Sequence, residues 1–173
     1  MMSFAAPATF AAITAIALGM ALPSHAADLP EPQGNVLLTV SGKVSATNRD
    51  GTAVLDRDML ETLPKTRIET ATIWTDGVHV FQGVLIKDLV DALGITGTVL
   101  QATAINNYSI EIPMADAVEG GPIIAYLFDG NEMSLREKGP LWVIYPYDDT
   151  AAYRKEVIYS RSIWQLDRIN ALD

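Results

Sequence analysis

The chain has 173 residues and no cysteine, and its 12 Lys and Arg against 21 Asp and Glu give a formal net charge of −9. Without cysteine the protein has no disulfide, no iron–sulfur cluster and no thiolate ligand or nucleophile. The acidic balance argues against a general nucleic-acid binder and against attachment to anionic lipid, because both recruit Lys and Arg. The length fits one domain of ordinary size.

The N-terminus has the features of an export signal. Residues 1–26 contain no Asp, Glu, Lys or Arg. The apolar stretch from Phe4 to Leu22 is followed by Ser24-His25-Ala26, a small-x-small cleavage pattern. An uncleaved membrane anchor is the competing interpretation, because no Lys or Arg precedes the apolar stretch, but Pro23 and the alanine-rich core favour cleavage. We therefore expect a signal peptide over 1–26 and a mature chain that begins near Ala27 in the periplasm.

Strands and one short helix are predicted first along the mature chain. Residues 27–35 contain two prolines and form an extended lead-in. Val36–Ser41 and Arg67–Trp74 are rich in strand-forming residues. Asp56 is a suitable N-cap for a short helix that covers Arg57–Leu63.

The most regular helical pattern covers Gly83–Leu93. Leu85, Leu89 and Leu93 recur at i, i+4 and i+8 and share one apolar face. Gly94 follows at the position where a helix often ends in a left-handed residue. The pattern predicts a helix from Gly83 to Leu93.

The rest of the sequence predicts mainly strands. Pro113 opens a helical turn through Met114–Val118, and Asp129-Gly130 is a strong hairpin signal. Neither a repeat nor a low-complexity tract interrupts residues 36–173, which we predict to form a single compact α+β domain with a mixed sheet. The predicted strands are Thr98–Ile105, Tyr108–Ile112, Pro122–Phe128, Leu141–Tyr145, Glu156–Tyr159 and Ser162–Ile169.

Few residues of the mature chain suit a catalytic or metal centre. Once His25 leaves with the signal peptide, His79 is the one histidine of the mature chain. We interpret His79 as a loop or strand-edge imidazole in preference to a catalytic base. Asp148-Asp149 stands beside Thr150, so helix capping is favoured over metal binding. The sequence has no G-x-S-x-G, P-loop, H-E-x-x-H or EF-hand pattern. We therefore predict no catalytic residue and no metal ligand.

Aromatic residues are the more informative group. Aromatic faces with a few fixed hydrogen-bonding groups are what a flat heteroaromatic ligand requires. Trp142 and Trp164 stand within apolar runs and are interpreted as core residues. Trp74, Tyr145 and Tyr147 stand at strand ends, positions that suit core packing and a ligand pocket equally.

Several segments occur in a characteristic order between residues 36 and 170. They are Leu38–Gly42, Phe81–Leu85, Asn106–Pro113, Lys138–Pro146 and Arg161–Ile163. Together they resemble the molybdopterin-binding domain of the sulfite oxidase superfamily. The resemblance covers nearly all of the mature chain, and it implies the mixed-sheet fold of that family and the pterin half of its cofactor pocket.

The sequence departs from the family at two positions that bear on the cofactor. In catalytic members a cysteine on the strand ahead of the F-x-G motif ligates molybdenum, whereas the corresponding Thr70–Trp74 contains none. Molybdenum needs that soft thiolate. The family's Arg after G-x-P-[LI] is replaced by Trp142, which argues against a phosphate-binding role. The resemblance therefore implies a free, reduced pterin as the cofactor and argues against molybdenum.

The chain resembles, more narrowly, short exported cysteine-free proteins of this fold that are periplasmic pterin-binding regulators. Those regulators work with a membrane-bound diguanylate cyclase/phosphodiesterase or a sensor kinase. The resemblance implies that a pterin stacks on Trp74. The other candidate ligand-binding residues are Asn107, Tyr108, Lys138, Tyr145, Tyr147, Arg161 and Ser162.

We accordingly expect a non-catalytic periplasmic pterin-binding protein whose partner is the periplasmic domain of a membrane signalling protein. Neither nucleic acid nor, after signal cleavage, the membrane itself is expected as a partner. Two alternatives stay open. One is a molybdenum oxidoreductase with a non-cysteine site, and the other is a partner-binding scaffold whose pocket holds no ligand.

Overall fold

The computed structural model describes residues 29–173, and the predicted signal sequence over 1–26 lies outside the described residues. No helix within 29–173 is long and apolar enough to cross a membrane. The strands are β1 (Val36–Gly42), β2 (Ala53–Asp56), β3 (Lys65–Ala71), β4 (Val78–Leu85), β5 (Val99–Ala104), β6 (Ser109–Pro113), β7 (Ile123–Phe128), β8 (Asn131–Glu132), β9 (Trp142–Ile144) and β10 (Leu166–Leu172). The α-helices are α1 (Arg57–Thr62), α2 (Ile86–Leu93) and α3 (Glu156–Arg161), and short 3-10 helices cover Met114–Asp116, Leu135–Glu137 and Ala151–Tyr153.

The strands form two five-stranded sheets. The first has the order β2-β1-β10-β5-β6, and the second has the order β3-β4-β7-β8 with β9 also paired to β7. β1 and β10 run parallel, although they lie at opposite ends of the chain. The other pairs in both sheets are antiparallel. The chain is therefore a single compact α+β domain with a mixed sheet, as predicted.

One continuous apolar core includes side chains from both sheets and from the helices. Leu38 of β1 and Phe81 of β4 are completely buried. Ile86, Leu89 and Leu93 form the buried face of α2. The core therefore holds both sheets and α2 together without a disulfide.

Local signals for helix and turn boundaries were confirmed. Asp56 caps α1, because its Oδ1 accepts a hydrogen bond from the backbone N–H of Met59 at 2.9 Å. Gly94 ends α2 in the left-handed conformation, with φ 57°. Asp129 and Gly130 form the turn between β7 and β8 with φ 47° and 78°.

The predicted start of the second helix was wrong. The helix begins at Ile86, and Gly83 belongs to β4, where it pairs with Ala125 of β7. A Cβ atom on Gly83 would lie 2.0 Å from the carbonyl oxygen of Ile124. Pairing on both edges of β4 overrides the helical periodicity of this segment.

The strand predicted at Glu156–Tyr159 was also wrong, since these residues belong to α3. The carbonyl of Lys155 accepts from the N–H groups of both Ile158 and Tyr159, which begins a helical turn. The strand predicted from Ser162 does not begin until Leu166.

The structure decides one prediction for a polar residue and corrects another. His79 lies near the start of β4, paired with Thr70 of β3, so of the two predicted positions it takes the strand and not the preceding loop. Asp148 caps no helix: its Oδ2 accepts from the backbone N–H of Ala71 at 2.7 Å and from Thr70 Oγ1 at 3.1 Å. Its carboxylate therefore fixes the end of β3, while Thr150 caps the following 3-10 helix.

Candidate functional site

The candidate site is a cavity of about 350 Å³, called here the Trp74 cavity. This volume is within the range of small-molecule sites. Three segments form its wall: the loop after β3, the β5–β6 turn and the stretch from α3 to β10. The lining residues are Trp74, Ala104, Asn106, Tyr108, Tyr159, Ser160, Ser162, Ile163, Trp164 and Gln165.

Trp74 lies at the centre of an aromatic cluster. Its ring centroid lies 5.7 Å from those of both Trp142 and Trp164, and 5.9 Å from that of Tyr159. The ring of Tyr147 lies 6.4 Å away, and all four contacts are edge to face. Edge-to-face contacts are a favoured geometry for aromatic pairs. They fix the orientation of the Trp74 ring in the cavity wall.

The loop that carries Trp74 is held by its own hydrogen bonds. Thr72 Oγ1 accepts from the backbone N–H of Trp74 at 3.1 Å and lies 2.8 Å from Thr75 Oγ1. Asp148 anchors Ala71, the last residue of β3 before this loop. The position of Trp74 is therefore set by the loop backbone as well as by the neighbouring rings.

The polar side-chain groups of the lining are neutral: they are amides, hydroxyls and the indole N–H groups of the two tryptophans. Asn106 Oδ1 accepts from the backbone N–H of Tyr108 at 3.0 Å, which leaves its Nδ2 as a donor. Gln165 Nε2 donates to the carbonyl of Leu135 at 2.7 Å, which leaves its Oε1 as an acceptor. The hydroxyl of Ser160 also lines the cavity. Two lining residues thus keep an unused amide group each, a donor on Asn106 and an acceptor on Gln165.

Charged groups are absent from this wall. Among the residues that the structure describes, no Asp, Glu, Lys, Arg or His lines the Trp74 cavity. Within residues 29–173 no group of three or more His, Cys, Asp and Glu is placed to hold a metal ion. The lining therefore suits a neutral ligand.

Three of the predicted ligand residues, Trp74, Tyr108 and Ser162, line the cavity together. Ser162 is buried, and its Oγ accepts from the Tyr147 hydroxyl at 2.6 Å while donating to the Ile158 carbonyl at 2.9 Å. Ser162 therefore supports the wall, whereas Tyr108 is exposed and accessible to a ligand.

Three predicted ligand residues lie beneath or beside the cavity and do not line it. Tyr145 and Tyr147 are fully buried in the core. Burial raises the pKa of the Tyr147 hydroxyl to about 12, and burial also raises the pKa of Tyr145. Asp116 Oδ2 accepts from the Tyr145 hydroxyl at 2.7 Å and from Arg161 Nη1 at 2.9 Å. Arg161 thus forms an ion pair with Asp116.

Asn107 and Lys138 are also outside the lining. Asn107 Oδ1 accepts from Arg168 Nη2 at 2.9 Å. Lys138 Nζ lies 4.5 Å from the ring centroid of Trp164 and 5.5 Å from that of Trp142, and it lines a second cavity.

The interpretation of Trp164 as a core residue was wrong, whereas that of Trp142 was confirmed. Trp164 is 38% exposed and lines the Trp74 cavity, and Trp142 is 1% exposed. Trp164 precedes the start of β10, and Gln165 has a left-handed φ of 54° that turns the chain before the strand. Lining residues that the prediction omitted are Ala104, Asn106, Tyr159, Ser160, Ile163, Trp164 and Gln165.

No protein-family model matches the sequence, and no curated protein matches it. Among solved structures, the fold is similar to the sulfane dehydrogenase SoxCD from Paracoccus pantotrophus, with a TM-score of 0.59 and 17% sequence identity. The match covers 79% of this chain but 38% of that one, so this chain spans well under half of its length. At this identity the likeness concerns the fold alone, and it supports the predicted α+β fold with mixed sheets.

The resemblance predicted from the sequence implies a molybdopterin cofactor that holds molybdenum, and the wall of the Trp74 cavity does not fit that metal. The chain contains no cysteine. The lining consists of aromatic, aliphatic, amide and hydroxyl groups. None of these supplies the thiolate that molybdenum takes from the protein in this fold family.

Proposed function

We propose that this protein is a non-catalytic periplasmic protein that binds a free pterin in the Trp74 cavity and regulates a membrane-bound signalling partner. The observation that carries the proposal is the uncharged aromatic wall formed by Trp74 and Trp164, with amide groups of Asn106 and Gln165 beside it. A flat heteroaromatic ring needs this combination of ring faces and fixed hydrogen-bonding groups.

The pyrimidine edge of a pterin carries donors and acceptors side by side. The Asn106 Nδ2 donor and the Gln165 Oε1 acceptor supply the complementary pair. Both side chains already make one hydrogen bond to the backbone, so each is oriented before a ligand arrives. This preorganisation lowers the entropic cost of binding.

Charge supports an unphosphorylated ligand. Among the residues described, the lining contributes no cation, and the protein as a whole carries a formal charge of −9. A phosphorylated or nucleotide-extended pterin would bring further negative charge into this field. A neutral pterin avoids that cost, and a monoanionic pterin meets less of it than a phosphorylated one.

The surface around the cavity supports a protein partner. Ile105, Tyr108 and Trp164 are 45%, 57% and 38% exposed, and Ile105 lies between two lining residues, Ala104 and Asn106. Exposed apolar side chains that cluster beside a cavity are typical of interaction surfaces. A ligand that contacts Tyr108 and Trp164 would change the surface offered to the partner, which gives binding a regulatory output.

The test is to express the chain with its own N-terminus, purify it from the periplasm and identify any small molecule that it carries by mass spectrometry. The stripped protein is then titrated with tetrahydrobiopterin and with neopterin by calorimetry. We expect a pterin in the extract and saturable heat of binding at one site. The absence of both would leave the ligand-free scaffold, and stoichiometric molybdenum by elemental analysis would support an oxidoreductase instead.

A further inference from the structure

A second cavity, of about 510 Å³, lies beside the first and is called here the Lys138 cavity. The two cavities adjoin at consecutive residues of the chain: Trp74 lines the first cavity and Thr75 lines the second. The β7–β8 hairpin and the 3-10 helix that follows it form most of the second wall. The lining residues are Thr75, Phe128, Asp129, Asn131, Glu132, Met133, Arg136, Glu137, Lys138 and Trp142.

The three carboxylates of this lining already have partners. Asp129 accepts from the backbone N–H of Val80 at 2.9 Å through Oδ1 and lies 2.7 Å from His79 Nδ1 through Oδ2. Glu132 Oε1 lies 3.4 Å from Arg57 Nη2. Glu137 and its partner Ser134 are joined by a hydrogen bond of 2.9 Å. None of these contacts involves a cation of the cavity itself.

The two cations of the lining are in the opposite situation. Within residues 29–173, neither Arg136 nor Lys138 forms an ion pair. Lys138 is half-buried, and its Nζ packs against the faces of Trp142 and Trp164. A cation held on aromatic faces loses part of its hydration without gaining a counter-charge. The cavity thus offers two positive groups with no anion assigned to either.

The backbone fixes where the Lys138 side chain starts. Lys138 ends the 3-10 helix with φ 76°, and its carbonyl accepts from the backbone N–H of Gln165 at 3.0 Å. Gly139 follows, where a Cβ atom would lie 1.8 Å from the carbonyl oxygen of Met133. The close approach of these segments holds Lys138 between the two tryptophans.

We propose that the Lys138 cavity binds the carboxylate group of a small organic acid, with the carboxylate on Lys138 and Arg136 and the apolar part of the acid against Trp142 and Phe128. A carboxylate is favoured over phosphate because three acidic side chains share the cavity and the whole chain is acidic, so a dianion meets more repulsion than a monoanion. The proposal is independent of pterin binding in the Trp74 cavity.

The experiment compares phenylacetate with phenylacetamide, which has the same ring but no charge, by backbone amide NMR of the full protein. Phenylacetate is expected to shift the amide signals of Glu132 and Glu137 and not those of Asn106 and Ser160. Phenylacetamide is expected to bind at least about tenfold more weakly than phenylacetate, which is the effect of losing one charge-assisted contact. Equal affinity for the two probes would overturn the proposal, as would signals that move only around the Trp74 cavity.

Variants assign the effect to the two cations. Arg136→Gln and Lys138→Gln are each expected to weaken phenylacetate binding about tenfold and to leave phenylacetamide binding unchanged. Arg67→Gln is the matched control, because Arg67 is exposed on β3 and outside the cavity. Arg136 is also exposed, so its removal is compatible with folding, and thermal unfolding checks this. The carboxylate assignment would be refuted if both variants still preferred phenylacetate over phenylacetamide as strongly as the wild type does. It would also be refuted if inorganic phosphate bound the cavity more tightly than phenylacetate.

Discussion

His79 Nδ1 lies 2.7 Å from Asp129 Oδ2, and the opposite ring nitrogen lies 2.8 Å from the backbone oxygen of Asp76. Both partners are acceptors, so the doubly protonated imidazolium satisfies both contacts at once. The side chain thereby links β4 with the β7–β8 turn and with the loop that carries Trp74. The hydrogen bond to Asp129 raises the pKa of His79 above its ordinary value. The hydrogen bond from the backbone N–H of Val80 lowers the pKa of Asp129 most, and the hydrogen bond with His79 lowers it further.

The pair predicts a stability that depends on pH. The contribution of His79 is fully present below pH 6.5, its ordinary pKa, and is lost as the pH rises through the higher folded value. The contribution of Asp129 is present above pH 3.8 and is lost as the pH falls through the lower folded value. The difference in free energy of unfolding between the wild type and His79→Gln should therefore be largest between those limits and decline toward alkaline pH.

Urea unfolding followed by tryptophan fluorescence at a series of pH values measures this difference. Asp129→Asn should remove most of the same pH dependence, because it removes the charged partner. A difference between wild type and His79→Gln that stays constant from acid to alkaline pH would contradict this account.

Asp56→Ala should destabilise the protein by about 2–4 kcal/mol, the loss of an N-cap together with two further hydrogen bonds to a charged group. The carboxylate accepts from Met59 at 2.9 Å and from the N–H groups of Gln33 and Gly34 at 2.8 Å each. These hydrogen bonds lower the pKa of Asp56, and the bond from Met59 has the largest effect. Its contribution should therefore be present above pH 3.8 and disappear as the pH falls through the lower folded value.

Asp58→Ala is the matched control for Asp56, because Asp58 is exposed in the first turn of the same helix. It should cost less than about 1 kcal/mol, the range of a charge near a helix N-terminus. Equal losses of stability in the two variants, measured by urea unfolding, would show that helix charge and not the three hydrogen bonds is responsible.

Gly83→Ala should destabilise the protein by about 3 kcal/mol, at the upper end of overpacking effects. The added Cβ would meet the backbone oxygen of Ile124 at 2.0 Å, and backbone cannot move aside as a flexible side chain can. Gly34→Ala is the control, because its nearest contact would be an ordinary 3.5 Å to Asp56 Oδ2. Thermal unfolding of the two variants compares them, and similar midpoints would contradict close packing of β4 on β7.

Short-range signals in the sequence predicted those features that short-range interactions determine. The Asp56 cap and the Gly94 helix end each depend on backbone groups within a few residues. The start of α2 depends instead on which residues pair with β7, and that pairing joins positions about forty residues apart, as in Gly83 with Ala125. Periodicity within the segment carries no information on such a partner.

The candidate site was predictable only in part for the same reason. Trp74 was identified because the sequence places it at the end of a strand, where pockets form, and Tyr108 was identified only through the family resemblance. Tyr159 and Gln165 join them only because β10 lies between β1 and β5, a neighbourhood that the fold as a whole creates. Tyr145 also stands at a strand end, but the core covers it completely.

The pterin proposal makes a prediction for the two cavity tryptophans. Trp164→Ala and Trp74→Ala should each lower the affinity for tetrahydrobiopterin by about 1–3 kcal/mol, the contribution of one stacked ring by analogy with nucleic-acid bases. Trp164 is 38% exposed and contacts one ring of the cluster, that of Trp74, so its removal should lower the unfolding temperature less than removal of Trp74. Trp74 contacts four other rings, so its removal should also lower the unfolding temperature.

Ile73→Ala is the control for both tryptophan variants, because Ile73 adjoins Trp74 in the same loop, is 61% exposed and does not line the cavity. Calorimetric titration should show wild-type affinity for this variant. Because Trp164→Ala disturbs the aromatic cluster less than Trp74→Ala does, it decides the question: unchanged affinity in a folded Trp164→Ala protein would place the ligand outside the Trp74 cavity.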